Sequence, residues 1–399
     1  MVRELPHLSG DKPLRISWKK VVAFRLSRHH LSKKTPAAGV TSAASDMAGA
    51  QAQVLSAGVM SIWARIKGVT AESIEAALWR ERTLVRAWAM RRTMFLLPSD
   101  QLAIFARGTS RRSEYNLAWA YSRAASRQQL DRLLDDTLEI LDMPRMRSEL
   151  AEGLKARGYR LKSKAGGGWG DSRAVPHVEL DGISPSVGFL LHLVDARGVI
   201  CSGPNEGNES TYVRAERWVP NWKDTTPEQA EPKLLDKYLG AFGPATLADF
   251  ALWTGMYVRD AKAIWSRAAD RTAHVDVEGW KAVVLGSDLP ELQEAASDGP
   301  EVRLLPFFDS FVLGHRSHRN IVDEKNHKKV YRAQGWVSPV LLVDGRARGV
   351  WSHVQGKRGL EVHVTPFTRL PSKVSSQVRE VARDLGRFLG SPEVKTTIA

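Results

Sequence analysis

Two glutamines separated by one alanine, Gln51-Ala52-Gln53, are the residues whose types and spacing best suit chemistry. Side chains two positions apart point to the same side of an extended segment and to different sides of a helix. In an extended segment both amides reach one small site, where each offers a carbonyl acceptor and two N–H donors for a bound water. The spacing alone favours the simpler alternative, polar residues at the start of the apolar helix that follows.

Other catalytic devices are missing from the sequence. It has no Gly-x-Ser-x-Gly elbow and no His-Glu-x-x-His helix. Cys201 is the single cysteine, so thiolate clusters and intrachain disulfides are excluded. The pairs His29-His30 and His315/His318 lack carboxylate or thiolate partners at ligand spacing. We therefore predict neither a metal nor another cofactor.

The charge of the chain indicates a polyanionic partner. Lys and Arg number 58 against 44 Asp and Glu in 399 residues, a formal net charge of +14. Such an excess favours nucleic acid over membrane, although a merely soluble basic protein remains an alternative. No apolar run approaches the roughly 18 residues of a membrane span. With no signal-like N-terminus and one cysteine, we expect a cytoplasmic protein.

Periodicity and turn signals divide the chain into a tail and four sections of an α+β protein. The predicted sections are residues 1–16 (tail), 17–125, 126–222, 223–290 and 291–399. The first three sections after the tail each read as helices followed by strands, which is the order of a winged-helix unit. The last section reads as a β-rich module with a terminal helix. Glycines 166–168 and residues 36–50 are interpreted as containing loops.

Several local signals are specific. Ser17 is a predicted N-cap, and the helix after it carries Lys19, Lys20, Arg25 and Arg28 on one face, either solvated or turned toward phosphate. Thr246 and Gly255 frame a helix-turn-helix, and Glu278-Gly279 a hairpin. A second hairpin is predicted at Asp344-Gly345, between two apolar runs. Strands are predicted at 84–90, 198–202 and 212–219, and a helix at 373–389.

The ordered combination of motifs resembles the winged-helix crosslink-repair DNA glycosylases, the AlkZ/YcaQ-like family known from azinomycin resistance. Gln51-Ala52-Gln53 matches the family's catalytic Gln–apolar–Gln motif. The resemblance covers about residues 17–370. It also rests on residues 78–91, 242–246 with Asp249 and Trp253, 305–306, 308–309, 314–316, 335–339 and 343–346.

The resemblance implies a C-shaped protein of tandem winged helices that excises N7-alkylated guanine and related cationic purines. In some members the activity extends to unhooking interstrand crosslinks. It implies catalytic roles for Gln51 and Gln53, with double-stranded DNA as partner. The family usually has glycine and histidine where this chain has Arg92 and Phe95, which puts any role of a histidine there in doubt.

Further residues complete the predicted site. Asp309 is a supporting candidate, able to stabilise a sugar cation or, alternatively, to cap a helix or pair with Arg316. We expect a basic DNA-contacting lining, with the Asp344-Gly345 hairpin near a groove; its predicted members are Arg86, Arg91, Arg92, Thr93, Arg316, Arg319, Trp336 and Arg346. A monomer is expected. The competing interpretation is a non-catalytic winged-helix DNA-binding regulator.

Overall fold

The computed structural model describes residues 13–165, 174–207, 209–297, 299–357 and 359–399 and shows a mixed α+β fold. The predicted α+β class is confirmed. Of the predicted tail, residues 1–12 lie outside the described residues, while Leu14–Ile16 form a strand. The predicted loop at glycines 166–168 also lies outside them.

The helices of the described residues are mostly short. In chain order they are α1 (Trp18–Arg28), α2 (Val40–Asp46), α3 (Leu55–Trp63), α4 (Ala71–Glu75), α5 (Leu102–Gly108), α6 (Arg111–Arg123), α7 (Arg127–Ile140), α8 (Arg147–Ala156), α9 (Val187–Val194), α10 (Ala215–Trp218), α11 (Pro227–Phe242), α12 (Leu247–Thr254), α13 (Val258–Ser266), α14 (Leu289–Glu294), α15 (Ser310–Leu313), α16 (His327–Val330) and α17 (Ser372–Phe388).

The strands form three larger sheets and two small pairs. They are β1 (Leu14–Ile16), β2 (Thr35–Pro36), β3 (Ala50–Gln51), β4 (Ile66–Lys67), β5 (Leu84–Trp88), β6 (Met94–Pro98), β7 (Arg145–Met146), β8 (Leu161–Ala165), β9 (Ala174–Val178), β10 (Ile200–Ser202), β11 (Thr211–Arg214), β12 (Thr272–Val277), β13 (Trp280–Leu285), β14 (Val302–Leu305), β15 (Val340–Val343), β16 (Arg346–Gln355), β17 (Leu360–Pro366) and β18 (Val394–Ile398). The sheet orders are β3-β6-β5-β10-β11-β7, β14-β15-β16-β17-β18 and β1-β12-β13, and the pairs are β2-β4 and β8-β9.

The six-stranded sheet combines strands from two predicted sections. Strands β3, β5 and β6 come from residues 17–125, and β7, β10 and β11 from residues 126–222. They meet where β5 pairs with β10, with Cys201 opposite Ala87. The largest apolar core of the described residues joins α2–α4 to the C-terminal sheet and to α17. In this core Trp63 packs on Phe388 of α17, with ring centroids 5.9 Å apart.

Most of the local predictions are confirmed. Ser17 caps α1, accepting from the Lys20 amide at 3.4 Å. Thr246 caps α12, and Gly255 adopts the left-handed turn with φ 77° before α13. The hairpins at 278–279 and 344–345 both form, each with two positive φ angles as a two-residue turn of this twist requires.

Two expectations need correction. The predicted strand 212–219 ends at Arg214 and continues as α10, whereas the segment 36–50 contains helix α2 together with a turn at its end. Arg25 is buried and donates to the carbonyl oxygens of Gly243 and Pro244, so it is neither solvated nor turned toward phosphate. The hairpin tip is packed against α1, because a Cβ on Gly345 would lie 2.3 Å from Val22 Cγ1.

Gly58 permits close packing of α3 on the glutamine segment. A Cβ at this position would lie 2.7 Å from the Ala52 Cβ, so Gly58→Ala should lower the free energy of unfolding by about 1–3 kcal/mol. Urea unfolding measures this effect. Gly240→Ala is the matched control, since its Cβ would meet nothing within 4 Å in helix α11 and is expected to be neutral or stabilising. Equal stability of the two variants would contradict this packing.

Candidate active site

The glutamine segment is extended, as the same-side arrangement of the two amides requires. Ala50 and Gln51 pair antiparallel with Leu96 and Phe95, and the Ala52 amide continues the pairing to Met94 O at 2.7 Å. Helix α3 begins only at Leu55. The alternative of polar residues within a helix start is therefore wrong, and β3 is the edge strand of its sheet.

Arg91 fixes the orientation of the Gln51 amide. Its Nη2 donates to Gln51 Oε1 at 2.8 Å, while Nη1 donates to the Trp253 carbonyl at 2.8 Å. Because a guanidinium only donates, the carbonyl branch of the amide must face it. The Gln51 side chain is buried to 6% exposure, and among the described residues its Nε2 makes no hydrogen bond.

Gln53 is exposed and oriented by the backbone. The Met94 amide donates to Gln53 Oε1 at 3.2 Å, so this amide also directs its nitrogen away from the sheet. Beneath it, the buried Arg86 donates to Ala52 O at 3.1 Å and Gln53 O at 3.3 Å. The carbonyl oxygens of an edge strand thus have a partner, and the segment is held from both sides.

Arg91 is a half-buried cation whose contacts are a carbonyl, an amide and an aromatic ring. Its guanidinium carbon lies 5.7 Å from the Phe95 ring centroid. Burial without a carboxylate partner lowers the pKa of Arg91 to about 10. It therefore stays charged at neutral pH, with its positive charge beside Gln51.

The turn that carries Arg91 and Arg92 between β5 and β6 is left-handed at both residues. Their φ angles are 55° and 56°, a region that suits glycine. The glycine that the family resemblance led us to expect at position 92 would fit this backbone, and Arg92 adopts the same conformation at some steric cost. Its Nη1 donates to Ser113 Oγ at 3.3 Å, and Thr93 bonds the Met90 carbonyl.

Asp309 is fully buried in an ion pair that the sequence did not predict. Its carboxylate accepts hydrogen bonds from both terminal nitrogens of Arg65 at 2.8 Å, from the Ser61 hydroxyl at 2.9 Å and from the Phe311 amide at 3.0 Å. Asp309 therefore caps α15, which confirms the alternative of a helix cap. Pairing with Arg316 is wrong, because both buried Asp309 oxygens are paired with Arg65 and the Arg316 side chain is exposed. The next residue, Ser310, bonds Gly49 O at 2.7 Å, just before the glutamine strand.

The remaining predicted DNA contacts lie in the C-terminal module. Arg316 and Arg319 are exposed, and Arg346 is half-buried in an ion pair with Asp323. Trp336 packs on Phe308, with ring centroids 5.2 Å apart. None of these side chains contacts either glutamine through a hydrogen bond within the described residues, and their contact with DNA stays a prediction.

The histidines considered as metal pairs have other surroundings. His29 is buried between Phe242 and Phe311, and His315 bonds the Phe242 carbonyl at 2.9 Å. His318 stacks on Tyr331. In the described part of the chain, no three His, Cys, Asp or Glu side chains are grouped to hold a metal, and no helix is long and apolar enough to cross a bilayer.

An amide-lined edge strand beside a helix-turn-helix is consistent with a protein that acts on DNA, and comparison with known proteins gives the class. The family model described as DNA glycosylase AlkZ-like matches residues 44–388. The chain therefore belongs to the AlkZ-like DNA glycosylase family, as its motifs indicated.

Two matches from one organism extend over nearly the whole chain. An interstrand DNA cross-link repair glycosylase of Streptomyces sahachiroi is 32% identical over 387 residues, covering 94% of this chain and 98% of that protein. The solved structure of Streptomyces sahachiroi DNA glycosylase AlkZ is similar with a TM-score of 0.78 and 28% identity, covering 97% of this chain and all of that one.

The Asp309–Arg65 pair should stabilise the fold beneath the site. Asp309→Asn leaves the Arg65 charge buried without a counter-ion, so the free energy of unfolding should fall by roughly 3–5 kcal/mol. Urea unfolding measures it. Glu152→Gln, which removes an exposed pair with Lys155, is the matched control and should cost under about 1 kcal/mol. A loss for Asp309→Asn no larger than for the control would contradict a structural role.

Proposed function

We propose that this glycosylase hydrolyses the N-glycosidic bond of cationic N7-alkylated purines in DNA and leaves an abasic site without cutting the strand. Cross-linked purines of the same chemistry are included, as the name of the Streptomyces sahachiroi relative suggests. The observation that carries the proposal is the pair of amides on the extended segment that begins with β3, with Gln51 oriented by Arg91 and Gln53 by the Met94 amide. A non-catalytic regulator is not favoured by the family to which the chain belongs.

The chemistry follows from what an amide can do. A glutamine is too weak a base to deprotonate water strongly, but it can orient a water molecule. Alkylation at N7 places a positive charge on guanine, so the base leaves neutral as the sugar gains oxocarbenium character. Orientation is then sufficient, because the substrate already carries the activation. A neutral adenine or uracil would need an acid, and the two amides supply none.

The two glutamines have different environments and therefore different proposed roles. Gln53 is exposed, and we assign it the positioning of the attacking water through the second lone pair of Oε1. Gln51 is buried beside Arg91 and presents its N–H donors, completing the water site and limiting its movement. No lysine hydrogen-bonds either glutamine within the described residues, which supports hydrolysis over Schiff-base chemistry.

The DNA-binding scaffold is proposed to consist of tandem winged helices in a C-shaped arrangement. Residues 223–290 support this best, with α11, the α12–α13 turn and the β12–β13 hairpin in order. Strand β1 pairs parallel with β12 and completes a three-stranded sheet. Arrangements of this kind suit major-groove docking of the second helix of the turn.

A duplex with one N7-methylguanine tests the activity. The wild-type protein should release free base and leave abasic sites, while Gln51→Ala and Gln53→Ala should each slow excision about 10²-fold or more at unchanged DNA affinity. Single-turnover base release and fluorescence anisotropy measure the two quantities. Arg379→Ala, an exposed arginine of α17, serves as the matched control. Wild-type rates in both glutamine variants, or a borohydride-trapped protein–DNA adduct, would reject the mechanism.

Arg91 should affect the chemical step through Gln51. Arg91→Met removes the donor that selects the amide orientation, and Arg91→Lys cannot reach Trp253 O and Gln51 Oε1 in the same forked geometry. Both variants should lower the single-turnover rate by between about 10-fold and 10²-fold, as misplacement of a catalytic group does. Urea unfolding checks that the variants fold. Full rates in folded Arg91→Met would show that Gln51 needs no such orientation.

A further inference from the structure

Helix α6 has an outward face on which arginines and aromatic rings alternate. Arg112, Tyr115, Trp119 and Arg123 follow one another at spacings of three and four residues, and all four are exposed. Tyr115 is 38% and Trp119 48% exposed, high values for such large apolar rings. Among the described residues, neither Arg112 nor Arg123 forms an ion pair with a carboxylate.

The same surface continues onto the start of α13. Tyr257, which precedes this helix, is 62% exposed, and its ring meets that of Tyr115 edge-on at 5.5 Å. Arg259 donates to the Tyr115 hydroxyl at 2.7 Å, and that hydroxyl donates to Asp260 at 3.0 Å. We call this surface, made of Arg112, Tyr115, Trp119, Arg123, Tyr257 and Arg259, the α6–α13 face.

The α6–α13 face adjoins the glutamine site through two short connections. Arg112 Nη1 donates to the Gly255 carbonyl at 3.0 Å, and Gly255 is so close to Arg91 that an added Cβ would lie 2.8 Å from its Cα. Arg91 in turn bonds Gln51. The second connection runs from Ser113 of α6 to Arg92. The face is therefore connected to the proposed catalytic centre through Arg91.

From these observations we infer that the α6–α13 face binds the DNA duplex beside the damaged base. Alternating cations and exposed rings suit a sugar–phosphate backbone and partly unstacked bases. The arginine pair at the two ends of α6 spans about 16 Å at 1.5 Å per residue, roughly five nucleotides at 3.4 Å each. The net charge of +14 and the family's DNA substrate identify the occupant. The position beside the damaged base rests on the proposed role of the glutamines, whereas binding of the duplex by this face does not.

The positions of two predicted DNA contacts, the buried Arg86 and the half-buried Arg91, support this assignment. Arg86 and Arg91 have their guanidinium groups engaged by backbone and amide oxygens around the glutamine segment. Arg112 and Arg123, in contrast, are exposed and carry no counter-ion within the described residues. Exposed cations of this kind can release condensed counter-ions from DNA, and Arg112 can do so while it keeps its bond to the Gly255 carbonyl.

Salt-dependent binding to undamaged duplex DNA tests the face independently of excision. The double variant Arg112→Ala/Arg123→Ala should weaken binding, and the slope of log K against log salt concentration should become shallower by about 1.8, or 0.9 per phosphate contact. Arg112→Lys/Arg123→Lys should restore most of that slope, because it restores the charges. On a duplex that contains a short unpaired stretch, Trp119→Ala should raise Kd roughly fivefold or more with little change in slope, because the ring can stack on an unpaired base.

The controls separate this inference from the proposed chemistry. Arg379→Ala/Arg383→Ala removes two exposed arginines of α17 and should leave affinity and slope unchanged. Urea unfolding shows whether each variant folds, and light scattering gives the oligomeric state.

Unchanged affinity and slope in a folded Arg112→Ala/Arg123→Ala variant would overturn the inference. So would a change in oligomeric state alone, which would identify the face as a contact between copies of the chain. If the Arg112→Ala/Arg123→Ala variant loses binding and the wild-type protein releases no base, only the proposed reaction is refuted.

Discussion

The antiparallel pairing of residues 50–52 with β6 is the constraint on which the site depends. It makes the glutamine segment extended, and only in that conformation do alternate side chains share a side. Each neighbour reinforces it: Arg86 holds the outer carbonyl oxygens, Gly58 lets α3 approach Ala52, and Ser310 bonds the Gly49 carbonyl. An edge strand would otherwise have unpaired backbone groups and freedom to shift register.

Two arginines near this strand illustrate two ways of keeping a cation inside a protein. Arg65 is balanced by the Asp309 carboxylate through a forked pair, and every oxygen of that pair has further donors. Within the described part of the chain, the partners of Arg91 are neutral oxygens and the Phe95 ring, and its lowered pKa reflects the cost of burying the charge. A cation held in this way fixes Gln51 without placing a competing negative charge at the site.

Much of the local structure could be predicted because the determining residues are adjacent in the chain. The caps Ser17 and Thr246, the turn at Gly255 and the two-residue hairpins are of this kind. The glutamine pair was found by spacing and family motif. The side-chain contacts around the pair could not be found in this way. Arg65 and Asp309, for example, are 244 positions apart, and no periodicity links them. The arginines expected to line DNA were chosen by charge, which does not distinguish Arg86, a buried donor, from Arg112. The three- and four-residue spacing along α6 was a signal that the sequence offered.

The shared six-stranded sheet limits how the site can admit a bulky substrate. Since β5 is hydrogen-bonded to β6 on one side and to β10 on the other, residues 17–125 and 126–222 are tied by backbone ladder rather than by a loose contact. A hinge between those two stretches would have to tear the sheet. Room for the proposed cross-linked substrate therefore cannot come from opening between these two stretches, and on this part of the protein the DNA would have to deform against a rigid template.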